Sequence, residues 1–196
     1  MQSGILYDEH QDVENLSKMR DALGENIDIM TDVNMAWSAD NAIKIGKKLQ
    51  EFNLYWLEEP VNCEDFKGYL RIADALDTRV VGGETHFTRF DMRPFFEDAR
   101  IPIVQPDVMR GGFTELRKIA MVADTWGITI APHLFPELMV QLMASIPNAH
   151  IIEYVNWMDD AWVNPILPTK GHYFAPERPG HGLEFKKEFI SEYILK

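Results

Sequence analysis

The chain has 196 residues, with 19 Lys and Arg against 31 Asp and Glu and a formal charge of −12, which excludes a nucleic-acid binder because that needs a basic face. Its 46% hydrophobic content with 11 Phe, 5 Trp and 6 Tyr excludes disorder for the bulk of it. No apolar run approaches the ~18 to 20 residues of a membrane helix, and the opening Met1-Gln2-Ser3-Gly4-Ile5-Leu6-Tyr7-Asp8 is unlike a signal peptide, so the expected setting is cytoplasmic.

In chain order, short β-branched or aromatic runs alternate with longer stretches of helical spacing. The first helix is expected over Asp12 to Leu23, where Val13, Leu16, Arg20 and Leu23 fall three or four apart and Gly24 supplies a stop. A strand follows at Ile27 to Asp32. Ser38 caps a helix whose inward stripe is Ala39, Ala42, Gly46 and Leu49, small side chains that suit close packing on a sheet. Next come a strand at Leu54 to Glu58, a helix at Glu64 to Leu76, and strands at Val80 to Glu84 and Ile103 to Asp107. A helix at Glu115 to Trp126, with Thr114 as N-cap and Gly127 as stop, precedes strands at Ile128 to His133 and His150 to Glu153. The Pro- and Gly-rich stretch Asn164 to Gly182 reads as loop, before a last amphipathic turn at Lys186 to Ile194. Most of the strands are too apolar for a one-sided sheet. Strands buried on both faces and separated by helices indicate an α/β fold of parallel βαβ units, here a single domain over 1–196 with 164–196 as its tail.

The informative pattern is that each apolar strand closes on a polar residue: Asp32, Glu58, Glu84, Asp107, His133 and Glu153, successive members standing 20 to 26 residues apart. A (β/α)8 barrel of about 250 residues averages roughly 31 per βα unit, so with tight loops each gap is one unit. The six then become neighbours around a ring at the C-terminal ends of the strands, where such barrels carry their chemistry. Asp32, Glu58 and Glu84 would repel one another unless a cation lay between them, and hard oxygen ligands favour Mg2+. The bland alternative is that each acid merely caps the following helix. Asp107 can orient one ring nitrogen of His133 and leave the other aimed into the mouth as a base. His86, two residues after Glu84, is either a substrate contact or a structural histidine. The single cysteine, Cys63, cannot form an internal disulfide, and no Cys/His cluster has zinc spacing.

The sequence resembles the enolase superfamily, and within it the mandelate racemase-like subgroup. The resemblance rests on T-D-V-N at 31 to 34, Y-W-L-E-E-P at 55 to 60, G-G-E at 82 to 84, Q-P-D at 105 to 107 with G-G at 111 to 112, A-P-H-L-F at 131 to 135 and H-I-I-E-Y at 150 to 154. It implies a partial TIM-type barrel of about six βα units, strands three to eight. The first strands, with their Lys-x-Lys string, and an N-terminal capping domain are not among these residues. It implies Asp32, Glu58 and Glu84 as Mg2+ ligands, Asp107 with His133 as acid/base dyad, and Glu153 as hydrogen-bond donor to the substrate carboxylate. Asn34 and His86 are the candidate substrate contacts. The implied reaction is Mg-dependent removal of the proton α to a carboxylate through a stabilised enediolate, a logic the superfamily exemplifies. Dehydration of an acid sugar to a 2-keto-3-deoxy acid is the first expectation. Racemisation or epimerisation of a 2-hydroxy acid is the alternative, and a non-catalytic metal-binding remnant is a third reading. Open strand edges at Ile27 to Asp32 and His150 to Glu153 are expected to favour homo-oligomers. The expected partner is a small carboxylate, with neither nucleic acid nor membrane involved.

Overall fold

A computed structural model of the chain describes residues 1–98 and 100–193. Its spine is a series of parallel strands in chain order. β1 (Ile29–Asp32), β2 (Leu54–Glu58) and β3 (Arg79–Val81) form one sheet, and β4 (Ile103–Val104) and β5 (Thr129–Ile130) a second. A bridge between Gly82 and Val104 joins the two, and further bridges place Gln2 beside Asp32 at one end and Ala149 beside Ile130 at the other. Met1 from the first edge and Ile151, Ile152 and Glu153 from the last line the same cavity. The sheet therefore curls into an open barrel, and among the described residues no strand pairing closes it.

Strand faces explain the apolar runs. Outward side chains Leu57, Val80, Val104 and Ile130 meet Tyr69, Ile72, Phe95, Leu116 and Ile119 from the surrounding layer, all buried. Inward, Trp56, Val81, Ile103 and Ala131 make a smaller core of their own. Each large aliphatic side chain removed from water on either face contributes roughly 1.5–3 kcal/mol.

Several elements depart from expectation. The strands are short, so Glu84, Asp107 and His133 stand beyond their ladders: Gly82 and Gly83, the latter with φ 127°, interrupt the third, and Pro106 and Pro132 lack the N–H that would extend the others. His150 to Glu153 is not a strand. Only the His150 N–H reaches the Ile130 carbonyl, at 2.8 Å, while His150 Nε2 meets the Tyr55 hydroxyl at 2.6 Å and the Glu153 side chain accepts from a backbone amide. The edge expected to be bare along Ile27 to Asp32 is partly covered. The Ser3 N–H donates to the Asp32 carbonyl at 2.7 Å and the Asp32 N–H to the Met1 carbonyl at 2.8 Å.

Among the helices, α1 (Glu9–Leu23) starts early because the Asp8 carboxylate caps it, accepting from the Gln11 N–H. Leu23 is exposed and Asp12 takes a buried place beside Leu16 and Arg20. The buried Arg20 guanidinium donates to the carbonyls of Gly24, Ile27, Phe52 and Asn53 at 2.7 to 3.0 Å, tying together the loops below the sheet. α2 (Ala39–Leu49) has its Ser38 cap, and Gly46 lies so close to Leu76 that a Cβ would meet Leu76 Cδ1 at 2.5 Å. α3 (Phe66–Ala75) is capped by Asp65. α4 (Arg93–Phe96) and α6 (Pro136–Met143) were not anticipated. α5 (Val108–Thr125) begins well before Glu115: Asp107, not Thr114, is its N-cap, and a kink at Gly112, φ 68°, separates a first turn from the limb that periodicity revealed. α7 (Lys187–Tyr193) matches the last expected turn, whose final residue Ile194 lies outside the described residues. Among the described residues no helix is long and apolar enough to cross a membrane.

Candidate active site

The polar strand ends gather at one end of the curled sheet. Asp32 and Glu58 are direct partners in the β1–β2 register, so their side chains leave neighbouring strands on the same face. With Trp56, Gln105, Ala131 and Glu153 they line a cavity of about 300 Å3. Beside it runs a chain of three groups. Asp107 Oδ2 lies 2.9 Å from His133 Nδ1, and His133 Nε2 faces Glu84 Oε2 at 3.6 Å. A parallel bridge between Asp107 and His133 sets this pairing from the backbone. Asp107 does two things at once, because its other oxygen accepts the Met109 N–H at 2.6 Å as the cap of α5. The capping alternative therefore holds for Asp107, alongside its hydrogen bond to His133. Asp32 instead accepts the Asn34 N–H at 2.8 Å, while the next helix is capped by Ser38.

Crowded and largely buried carboxylates show it in their pKa values. Burial, reinforced by the neighbouring Asp32, Glu84 and Glu153, pushes Glu58 up to about 8 although the Gln105 side chain opposes this. Asp32 and Glu84 are also raised, chiefly by burial, with the Asn34 N–H opposing this at Asp32 and His133 opposing it at Glu84, and with repulsion from Glu153 adding to both. Burial pulls the His133 imidazole down, but the Asp107 hydrogen bond and the charges of Glu84 and Glu153 outweigh it and leave His133 above its ordinary value. Such a crowd of hard oxygen donors is the chemistry a divalent cation answers. Among the described residues, however, no three His, Cys, Asp or Glu side chains stand close enough to hold one ion as placed. Glu84 leans on His133 instead, so joining Asp32 and Glu58 around an ion requires a side-chain movement.

The backbone is strained where these groups sit. Asn34 and Met35 follow Asp32, Glu59 follows Glu58, and Leu134 and Phe135 follow His133, all non-glycine residues with φ between 38° and 64°. Five of the seven such residues in the described chain are these, and strain of this kind clusters at functional sites. The turn at Leu134 has a direct effect: its N–H donates to Glu153 Oε2 at 2.8 Å, linking the residue after the imidazole to the last carboxylate of the ring.

Not every candidate joins the cluster. His86 lies outside that cavity, buried against the rings of Phe66 and Phe95, where burial lowers its pKa, and it lines a separate pocket with Cys63, Thr85 and Phe87. Asn34 is exposed, engaged through its backbone. Glu153 is exposed at the rim of the cavity. Sequence reasoning missed Glu59, fully buried, accepting from Thr85 Oγ1 at 3.1 Å and pushed up to about 7 by burial and then by Glu84. Its signal was present in the doubled acid before Pro60. Trp56 and Gln105 were missed as well.

Comparison with known proteins identifies the family. The family described as "Enolase C-terminal domain-like" matches residues 3–189. A curated relative, 3,6-anhydro-alpha-L-galactonate cycloisomerase of Streptomyces coelicolor, is 33% identical over 90% of this chain and 50% of its own length. Among solved structures, a racemase from Streptomyces coelicolor A3(2) with bound magnesium superposes with a TM-score of 0.92 at 32% identity, covering 98% of this chain and 53% of that one. L-Talarate dehydratase from Polaromonas sp. JS666, complexed with Mg and L-glucarate, gives 0.89 at 28% identity, covering 97% and 53%. The chain thus spans about half the length of the relatives it matches. It belongs to the enolase superfamily, on the mandelate racemase-like side, and the region matched is that family's C-terminal, TIM-barrel-like domain.

Proposed function

We propose that this chain carries the metal- and base-bearing half of a Mg2+-dependent enzyme that removes the proton α to a carboxylate, with an acid sugar as substrate and dehydration to a 2-keto-3-deoxy acid as the outcome. The observation that carries the reading is the His133 imidazole, held by Asp107 at 2.9 Å and turned toward the carboxylates at the open end of the sheet. Asp32, Glu58 and Glu84 are the residues that would hold the ion, after Glu84 releases His133. Bound there, Mg2+ supplies positive charge against the second negative charge that develops on a deprotonated carboxylate substrate.

The rest is work for the chain's own side chains. Asp107 fixes the His133 ring through Nδ1, so Nε2 is the atom that takes the α-proton and can return it to a departing β-hydroxyl. Glu153 has one oxygen satisfied by the Leu134 N–H, which leaves Oε1 to meet the substrate. The related dehydratase complexed with Mg and L-glucarate supports an acid sugar as substrate class.

Metal binding to the folded form alone raises stability by RT ln(1 + [L]/Kd). Millimolar Mg2+ is therefore expected to raise the Tm, and Glu58→Gln to abolish the rise. A wild-type Tm indifferent to Mg2+ would remove the reading.

A further inference from the structure

Trp56 stands two residues before Glu58 on β2, so the pleat sends both side chains to the same inward face. Its indole is 5% exposed and packed among Val81, Ile103 and Ala131, which fixes the ring. A buried indole N–H is a donor without an acceptor function and needs a partner. It finds Glu58 Oε2 at 3.1 Å. We propose that Trp56 is a positioning residue for Glu58, whose indole N–H occupies Oε2 and so presents Oε1 as the single oxygen offered to a divalent cation. This rests on the metal reading above.

The consequence is selectivity between ions as well as affinity. Mg2+ demands near-ideal octahedral geometry and takes one oxygen per carboxylate, whereas Ca2+ accepts carboxylates through both oxygens in looser shells. A Glu58 pinned at Oε2 suits the first ion and is a poor chelator of the second. Freed from Trp56, the carboxylate can rotate and engage through both oxygens, which penalises Mg2+ and leaves Ca2+ little affected or improved. Partners that orient a metal ligand in this way are typically worth about 10–100-fold in affinity.

The test titrates the full chain and its Trp56→Phe variant with Mg2+ and with Ca2+ by isothermal calorimetry. The expected result is a loss of about 10-fold or more for Mg2+ with a much smaller change for Ca2+, so the ratio of the two affinities falls. Equal Mg2+ affinity in the variant, or parallel losses for both ions, overturns the proposal. Failure of the wild type to bind either ion overturns the metal reading itself. Should Trp56→Phe not fold, hydrogen exchange at the Trp56 indole N–H decides in its place. Protection in the metal-free wild type that is lost in Glu58→Ala supports the contact, and exchange as fast as a free indole in the wild type overturns it.

Discussion

Replacing Glu58 by Gln removes a charge that the fold holds at a disadvantage, and the size of that disadvantage makes stability depend on pH. In the folded chain burial, then the nearby Asp32, Glu84 and Glu153, moves the titration of Glu58 from 4.5 to about 8. A carboxyl raised in this way adds stability that is fully present below the unfolded value and is lost as the pH rises through the folded one. At roughly 1.4 kcal/mol for each pH unit between the two values, ionising Glu58 at pH 9 costs on the order of 3–5 kcal/mol. For a chain of this size that corresponds to about 6 to 20 °C in Tm. Gln keeps an acceptor for the Trp56 N–H, so the change is in charge and little else. Scanning calorimetry in EDTA is therefore expected to find Glu58→Gln melting close to the wild type at pH 5 and well above it at pH 9. A difference independent of pH, or a wild type that melts higher at pH 9, would refute the reasoning.

Two further outcomes concern the scaffold. Arg20→Met strips four carbonyls of a buried charged donor and is expected to destabilise by about 3 kcal/mol or more in urea unfolding, whereas a loss within 0.5 kcal/mol would mean those loops hold without it. Lys170 has φ 51° ahead of Gly171 with φ 78°, in a turn bridged by Thr169 and His172; Lys170→Asn suits this geometry better, and the same assay is expected to show a gain of about 0.5 kcal/mol.

What could be read from the sequence follows from how local its cause is. An apolar run that ends on one charged residue marks a buried strand and its open end without reference to any partner, which is why Asp32 and Glu58 were legible as strand ends and Glu84, Asp107 and His133, three residues past theirs, as groups at the same end of the sheet. Gly24 and Ser38 mark helix boundaries by backbone chemistry alone, and they stand where expected. The start of α5 was hidden because Gly111 and Gly112 look like a break in the pattern, while the Asp107 side chain, reaching the Met109 N–H across two residues, restarts the helix before them. For His86, position after a strand end does not say whether the ring points inward or into the surrounding aromatic layer; Phe66 and Phe95, distant in sequence, decide that. His150 to Glu153 has strand composition, yet pairing needs a neighbour, and only a single bridge, Ile130 with Ala149, forms beside it. The full burial of Glu59 likewise depends on Thr85 and the loop after β3.

The central claim is that His133 is the base that takes an α-proton at a site assembled by Asp32, Glu58 and Glu84. It is tested most directly by incubating 2-hydroxy acids and acid sugars with the chain and Mg2+ in D2O and following deuterium at the α-carbon by mass spectrometry. The account predicts incorporation with substrates of one configuration only, abolished by His133→Asn and by EDTA. Incorporation that persists in His133→Asn, or racemisation of either enantiomer, would contradict it.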